Sequence, residues 1–247
     1  MLKLLKYDIK RNLDSFLSMM AILVIVQVLV SVIGKMRGWE NAIIIGLSLI
    51  LYIVAAVMIT VAVCKTFATN LKAYHRRLLP VHPIWTIFST LLLGFIAMIV
   101  FFTILGIHAF LYGQFISDFG SFSNMDWSGL IEPIFVGVWS YALTLLMIFM
   151  AITIGASVTI NGRGAGWIGI IAFFIIQNGM NYVEYLLFGE NKSTMVQFEF
   201  SSNGFKGSTG VAEKLDLFSW GSFLFELGCA GLMVYLISYL ISKKVAI

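Results

Sequence analysis

Six long stretches of nearly unbroken apolar residues divide the chain: Phe16 to Gly34, Asn41 to Cys64, Ile84 to Tyr112, Ile131 to Ile160, Trp167 to Phe188 and Ser219 to Ile241. A helix rises about 1.5 Å per residue, so about 20 apolar residues cross a hydrocarbon core of about 30 Å, and every block is about that long. None alternates at every second residue as a barrel strand does, and an open strand would leave backbone polar groups unsatisfied in lipid. The pattern predicts an all-α integral membrane protein with six transmembrane helices, read as a single six-span domain over 1–247.

Two polar-flanked stretches carry helical periodicity of another kind. Leu2, Leu5, Ile9 and Leu13 recur at three-to-four-residue spacing while Lys3, Lys6, Lys10 and Arg11 take the other faces. That spacing predicts an amphipathic elbow helix over 1–15 lying on the inner leaflet, serving either as a topological anchor or as a mechanical elbow. Between the second and third spans, over 66–82, Phe67, Leu71, Tyr74 and Leu78 stand at i, i+4, i+7 and i+11. They form one stripe, flanked by His75, Arg76 and Arg77, and after Leu79 the helix stops at Pro80. An apolar stripe exposed on a loop helix requires cover from the span ends, from lipid or from a partner protein.

Composition agrees with the pattern: 60% of residues are hydrophobic and 11% charged, against roughly 45–50% and about 25% in soluble domains. The charges add direction. Lys3, Lys6, Lys10, Arg11, Lys65, Lys72, Arg76, Arg77, Arg163, Lys243 and Lys244 all fall on one side of the six blocks, while most acids fall on the other. Cytoplasmic loops are enriched in Lys and Arg, so both termini are expected in the cytoplasm, with the chain multi-pass in the cell membrane. The net charge of +4 is then a topological signal, and nucleic acid is not an expected partner.

Candidate chemistry is sparse. Cys64 and Cys229 lie singly in apolar blocks, which suits neither a disulfide framework nor a metal cluster. No G-x-x-x-x-G-K-[ST], H-E-x-x-H or G-x-S-x-G signature occurs, so the chain is not expected to be an enzyme or to hold a cofactor or metal of its own. In span five Gln177, Asn181 and Glu184 stand at i, i+4 and i+7, with Asn178 and Tyr185 flanking the same side. In span six Glu226 shares a face with Ser222, Cys229 and Met233, and a polar residue of span five is its expected partner. An ionisable group near the bilayer centre costs on the order of 2.5–3.5 kcal/mol on insertion scales. The stripe must therefore face protein or a water-filled path, and both interhelical packing and a substrate path satisfy it. The segment 189–218 reads as an outer loop or re-entrant segment, with alternation over Val196 to Phe200 and a turn signal at Asn203-Gly204.

The order of Phe67, Leu71, Leu78, Leu79, Pro80 and Val81 between the second and third spans resembles the permease subunits of ABC-2 type exporters. That family often has Ser-Arg after its Pro-Val and Ser-Lys at the start of the third span, where this chain has His82-Pro83 and Ser89-Thr90. The likeness extends over the elbow, the six spans, the loop helix, the long segment before span six and the basic tail. It implies that Phe67, Leu71, Tyr74, His75, Arg76, Arg77, Leu78, Leu79 and Pro80 form a cytoplasmic coupling helix docked on a separate ATP-binding subunit, where ATP and Mg reside. It also implies half a transporter, completed by a second copy or a paralogous permease. Within the family the nearest likeness is to exporters of phenol-soluble modulins, short amphipathic toxins, with antibiotic or bacteriocin exporters beside them. The residues alone also fit a proton-coupled carrier using Glu184 and Glu226, and a membrane assembly subunit that moves no solute.

Overall fold

The computed structural model describes residues 2–72, 83–115, 128–158, 165–188 and 220–243. These form six helices: α1 (Leu2–Met36), α2 (Asn41–Lys72), α3 (Pro83–Phe115), α4 (Ser128–Val158), α5 (Ala165–Phe188) and α6 (Trp220–Lys243). Each is long and apolar enough to cross a membrane, and the chain is a multi-pass membrane protein by that measure. Apolar side chains such as Ile22, Ile25, Ile99, Ile175 and Leu232 are exposed along them, which suits a lipid surround and not water.

The helices overrun the apolar blocks, most of all at α1. This helix is 35 residues long, about 52 Å at 1.5 Å per residue, and it absorbs the segment expected to form a separate elbow over 1–15. Along it Leu5 and Asp8 are buried, Ile9 is half-buried and Leu13 is exposed; the neighbouring helices take up Asp8 through hydrogen bonds described below.

The chain divides into two compact units, one within residues 1–125 and the other within 126–247. In the first unit α1, α2 and α3 all pack against one another. Their centre is a cluster of Met20, Leu23, Ile59, Ala97 and Phe101, bordered by Phe16, Tyr52, Ala55, Ala56, Ile104 and Leu105. Lipid tails are as apolar as these side chains, so close packing, more than transfer from water, holds such a cluster together.

The α1–α2 connection has a defined stop and start. Gly38 adopts φ 67°, its N–H donates to the Lys35 carbonyl at 3.1 Å, and the Trp39 N–H donates to the Gly34 carbonyl at 2.9 Å. This pair of bonds is a Schellman cap, which needs a left-handed residue just past the helix end. The Glu40 carbonyl then accepts from the Ile43 and Ile44 N–H groups and opens α2. Left-handed backbone costs a residue with a Cβ roughly 1–2 kcal/mol, Asn less. Gly38→Val is accordingly expected to lower Tm in bilayer nanodiscs, and Gly38→Asn to restore most of the loss.

The second unit is built around α4, which packs against both α5 and α6, while α5 and α6 meet over a shorter stretch. Val136, Leu143, Leu145, Leu146, Met147, Phe149 and Ala151 of α4 are buried, as are Met233 and Ile237 of α6. Among its described side chains, α5 contributes none that is fully buried. It approaches α4 through Gly169, where an added Cβ would lie 3.2 Å from the Ala151 carbonyl oxygen.

Candidate functional site

The most highly connected polar site among the described residues lies where the start of α1, the end of α2 and the start of α3 converge. Asp8 is fully buried there. Its carboxylate accepts from Ser89 Oγ at 3.0 Å and from Asn70 Nδ2 at 3.3 and 3.4 Å. Arg11, one turn along α1, lies 3.6 Å from the same carboxylate and donates to Asn70 Oδ1 at 2.9 Å. Asp8, Arg11 and Asn70 thus close a ring of complementary groups. Beside it Asn12 donates to the Asp8 carbonyl at 2.7 Å, and Thr66 donates to Asn12 Oδ1 at 3.0 Å.

Elementary electrostatics explains why this group is held so fully. A buried carboxylate is tolerable only when cations or hydrogen-bond donors replace its water, and here donors arrive from all three helices. Charge-assisted bonds of this kind are stronger than neutral ones. The outcome is mechanical: Asn70 stands just before α2 ends at Lys72, and Ser89 stands in the second turn of α3, which begins at Pro83. The knot therefore ties both borders of the 73–82 connection to the basic start of α1.

Several residues singled out by spacing meet this site. Arg11 belongs to it, whereas Lys6 and Lys10 are exposed on the same helix. Phe67 and Leu71, expected on the exposed stripe of a separate coupling helix, instead continue α2 and are buried, at 0% and 4% exposure. The reason is that α2 runs unbroken to Lys72, so these two side chains stay on the face turned toward the other helices of the unit. Tyr74, His75, Arg76, Arg77, Leu78, Leu79 and Pro80 lie outside the described residues, as does the segment 189–218.

A second polar band crosses the other unit. Glu226 of α6 accepts from the Trp139 indole N–H of α4 at 2.5 Å. One turn away on α6, Ser222 donates to Glu184 of α5. Glu226 and Ser222 are both buried. Glu226, expected to meet a polar group on α5, takes its hydrogen-bond donor from α4, while Glu184 of α5 bonds to Ser222, one turn away on α6. Trp139 packs on Phe223 at 4.8 Å between centroids, which holds the indole beside α6. Of the rest of the α5 stripe, Gln177 is half-buried, Asn178 and Asn181 are exposed, and Asn178 donates back to the Phe174 carbonyl at 2.7 Å.

Comparison with protein-family models, curated proteins and solved structures finds no match to this chain. Function must be read from the sites themselves. Among the described residues no three His, Cys, Asp or Glu side chains gather as a metal site would require.

Spacing had not singled out Asp8, Asn12, Thr66, Asn70 or Trp139. A signal for the first existed: Asp8 is an acid in a basic segment, three residues before Arg11 and four before Asn12, on one helical face. Trp139 carried no comparable signal, since an indole in an apolar block reads as ordinary span packing.

Proposed function

We propose that the chain is the membrane-spanning permease subunit of an ATP-driven exporter of ABC-2 type, with both termini in the cytoplasm. Its energy comes from a separate ATPase subunit docked at the 73–82 connection. A second copy of the chain, or a paralogous permease, completes the transport path. The cargo is hydrophobic or amphipathic, such as a peptide toxin or antibiotic, in keeping with the six long apolar helices. The chain's part is transport alone, since its sequence holds no phosphate-binding loop.

One observation carries this reading: the Asp8 knot. Both borders of the connection are bound through Asn70 and Ser89 to a single buried carboxylate on α1. A push delivered at that connection would reach three helices together, as a subunit driven by an external motor needs. Phe67 and Leu71 are buried parts of that transmission, and the docking handle narrows to Tyr74 through Pro80.

Affinity purification of the full chain from its native membrane tests the proposal. A stand-alone ATPase is expected to copurify, and Leu78→Asp is expected to abolish its recovery while leaving the chain's Tm unchanged. A second reading, a proton-coupled carrier, draws on the Glu184–Ser222 and Glu226–Trp139 pairs in one three-helix unit. Transport by the purified chain in vesicles under a proton gradient, with no ATPase present, would establish the carrier and end the exporter reading.

A further inference from the structure

Inside the first unit, another polar group lies toward the α1–α2 turn, away from the Asp8 knot. It consists of three pairs, each one helical turn apart: Gln27 and Ser31 on α1, Ser48 and Tyr52 on α2, His108 and Tyr112 on α3. Gln27 Nε2 donates to the Ser48 carbonyl at 3.0 Å, and Ser31 Oγ lies 3.0 Å from His108 Nε2. The Tyr52 ring packs against His108 with centroids 5.9 Å apart, and Tyr112 Oη donates to Asn41 Oδ1 at 3.4 Å. On its other side Tyr52 meets Phe101, a member of the apolar cluster with Met20, Leu23, Ile59 and Ala97. Polar groups thus line the unit from Asn41 and Tyr112 down to Tyr52, where apolar packing ends them.

Two atoms of this group are buried without a hydrogen-bond partner: Gln27 Oε1 and Tyr52 Oη. Gln27 is 1% exposed, so neither bulk water nor a lipid headgroup reaches its carbonyl oxygen. Unmade hydrogen bonds at buried groups are expensive, and native structures satisfy nearly all of them with protein or internal water. Gln27 Oε1 needs a donor, whereas Tyr52 Oη can donate or accept. Their known contacts converge: Gln27 holds Ser48, one turn from Tyr52, and Tyr52 touches His108, which is bonded to Ser31, one turn from Gln27. The contacts of Gln27, Tyr52 and His108 described here are with neutral groups, which suits a neutral ligand between them. A small neutral molecule able both to donate and to accept is required.

We propose that this site binds water, held between Gln27 Oε1 and Tyr52 Oη beside the His108 imidazole. Polar lining and two or more partners are what an internal water needs. The apolar cluster on the other side of Tyr52 stops hydration there, so the water is an internal one, enclosed among α1, α2 and α3. The inference stands apart from the transport reading, because it concerns only the interior of the first unit.

Water-edited solid-state NMR of the full isotope-labelled chain in bilayers tests it, with the Phe101 ring as an internal dry reference. Water magnetisation is expected to build up several-fold faster on the Gln27 side-chain carbonyl and the Tyr52 ring than on Phe101, and Tyr52→Phe is expected to slow it at Gln27. Thermal unfolding gives a sign that structure alone would not: removing a hydroxyl that holds water lowers Tm, whereas removing a dry, unpaired hydroxyl raises it. Build-up on Gln27 and Tyr52 no faster than on Phe101, or a higher Tm for Tyr52→Phe, would overturn the proposal.

Discussion

Asp8→Ala is expected to lower the Tm of the chain in nanodiscs more than any other single polar substitution in the first unit. The change strands Ser89 Oγ and Asn70 Nδ2 in a buried site and removes the anion that faces Arg11. Each stranded group costs about 1–3 kcal/mol. Arg11 is about a third exposed, so water takes over part of its solvation and its share is reduced. A total loss of about 3 kcal/mol, the lower end of the range for breaking a buried pair, is the expected magnitude. Asp8→Asn keeps one acceptor oxygen for Ser89 or Asn70 and is expected to lose less. A Tm unchanged in Asp8→Ala would mean that the knot is not formed. Under the exporter reading the same variant has a second consequence: the ATPase still binds at the 73–82 connection, but cargo no longer stimulates hydrolysis, because the push stops at the helix ends.

Phe67→Ala is the second large effect. Phe67 is among the largest fully buried side chains of the chain, and Phe→Ala in a packed core costs about 3–5 kcal/mol. The bilayer reduces this figure to the extent that lipid replaces water around the side chain in the unfolded reference, leaving the cavity and lost contacts as the main terms. Leu71→Ala, a smaller buried deletion one turn on, is expected to follow in the same direction with a smaller drop. The discriminating value lies in the comparison with Leu78→Asp. A side chain on a docking surface changes partner binding and leaves Tm alone, whereas a packed side chain changes Tm first. Unfolding curves of the three variants, measured beside their recovery of the ATPase, separate these roles. If Phe67→Ala unfolds like the unsubstituted chain yet loses its partner, Phe67 belongs to the handle after all.

The two predictions turn on residues that periodicity treated very differently. Phe67 and Leu71 were visible as members of a stripe, but a stripe records only that residues share a helical face. It says nothing of what covers that face. The i, i+4, i+7 pattern is the same for a loop helix awaiting a partner and for the last turns of a span packed on its neighbours. The continuity of α2 to Lys72 decided between them for Phe67 and Leu71. The elbow shows the same ambiguity: Leu2, Leu5, Ile9 and Leu13 suit a helix lying on a leaflet, and equally the first turns of a long helix whose buried side includes Asp8. In the second unit Glu184 and Glu226 were legible as costly groups requiring partners, because any ionisable side chain in an apolar block stands out. Of their donors, Ser222 was visible only as a neighbour of Glu226 on its own helix, and Trp139 was not, since an indole is an unremarkable residue in such a block.

What the order of residues determined alone is the class and number of elements. Runs of about 20 or more apolar residues without period-two alternation have one low-energy form in lipid, a helix with every backbone group paired internally, and that constraint is local. Six helices covering the expected blocks follow from it, although α1 begins far ahead of its block, at Leu2, and α2 runs past its own to Lys72. Partner choice is not local. Asp8 finds Asn70 and Ser89, 62 and 81 residues away, and Glu226 finds Trp139, 87 residues away. Such pairings depend on which helices pack and at what rotation, where small differences in close contact decide among many faces that are all apolar enough. Only the tertiary structure makes that selection, because in a bilayer hydrophobicity no longer distinguishes the face turned to protein from the face turned to lipid.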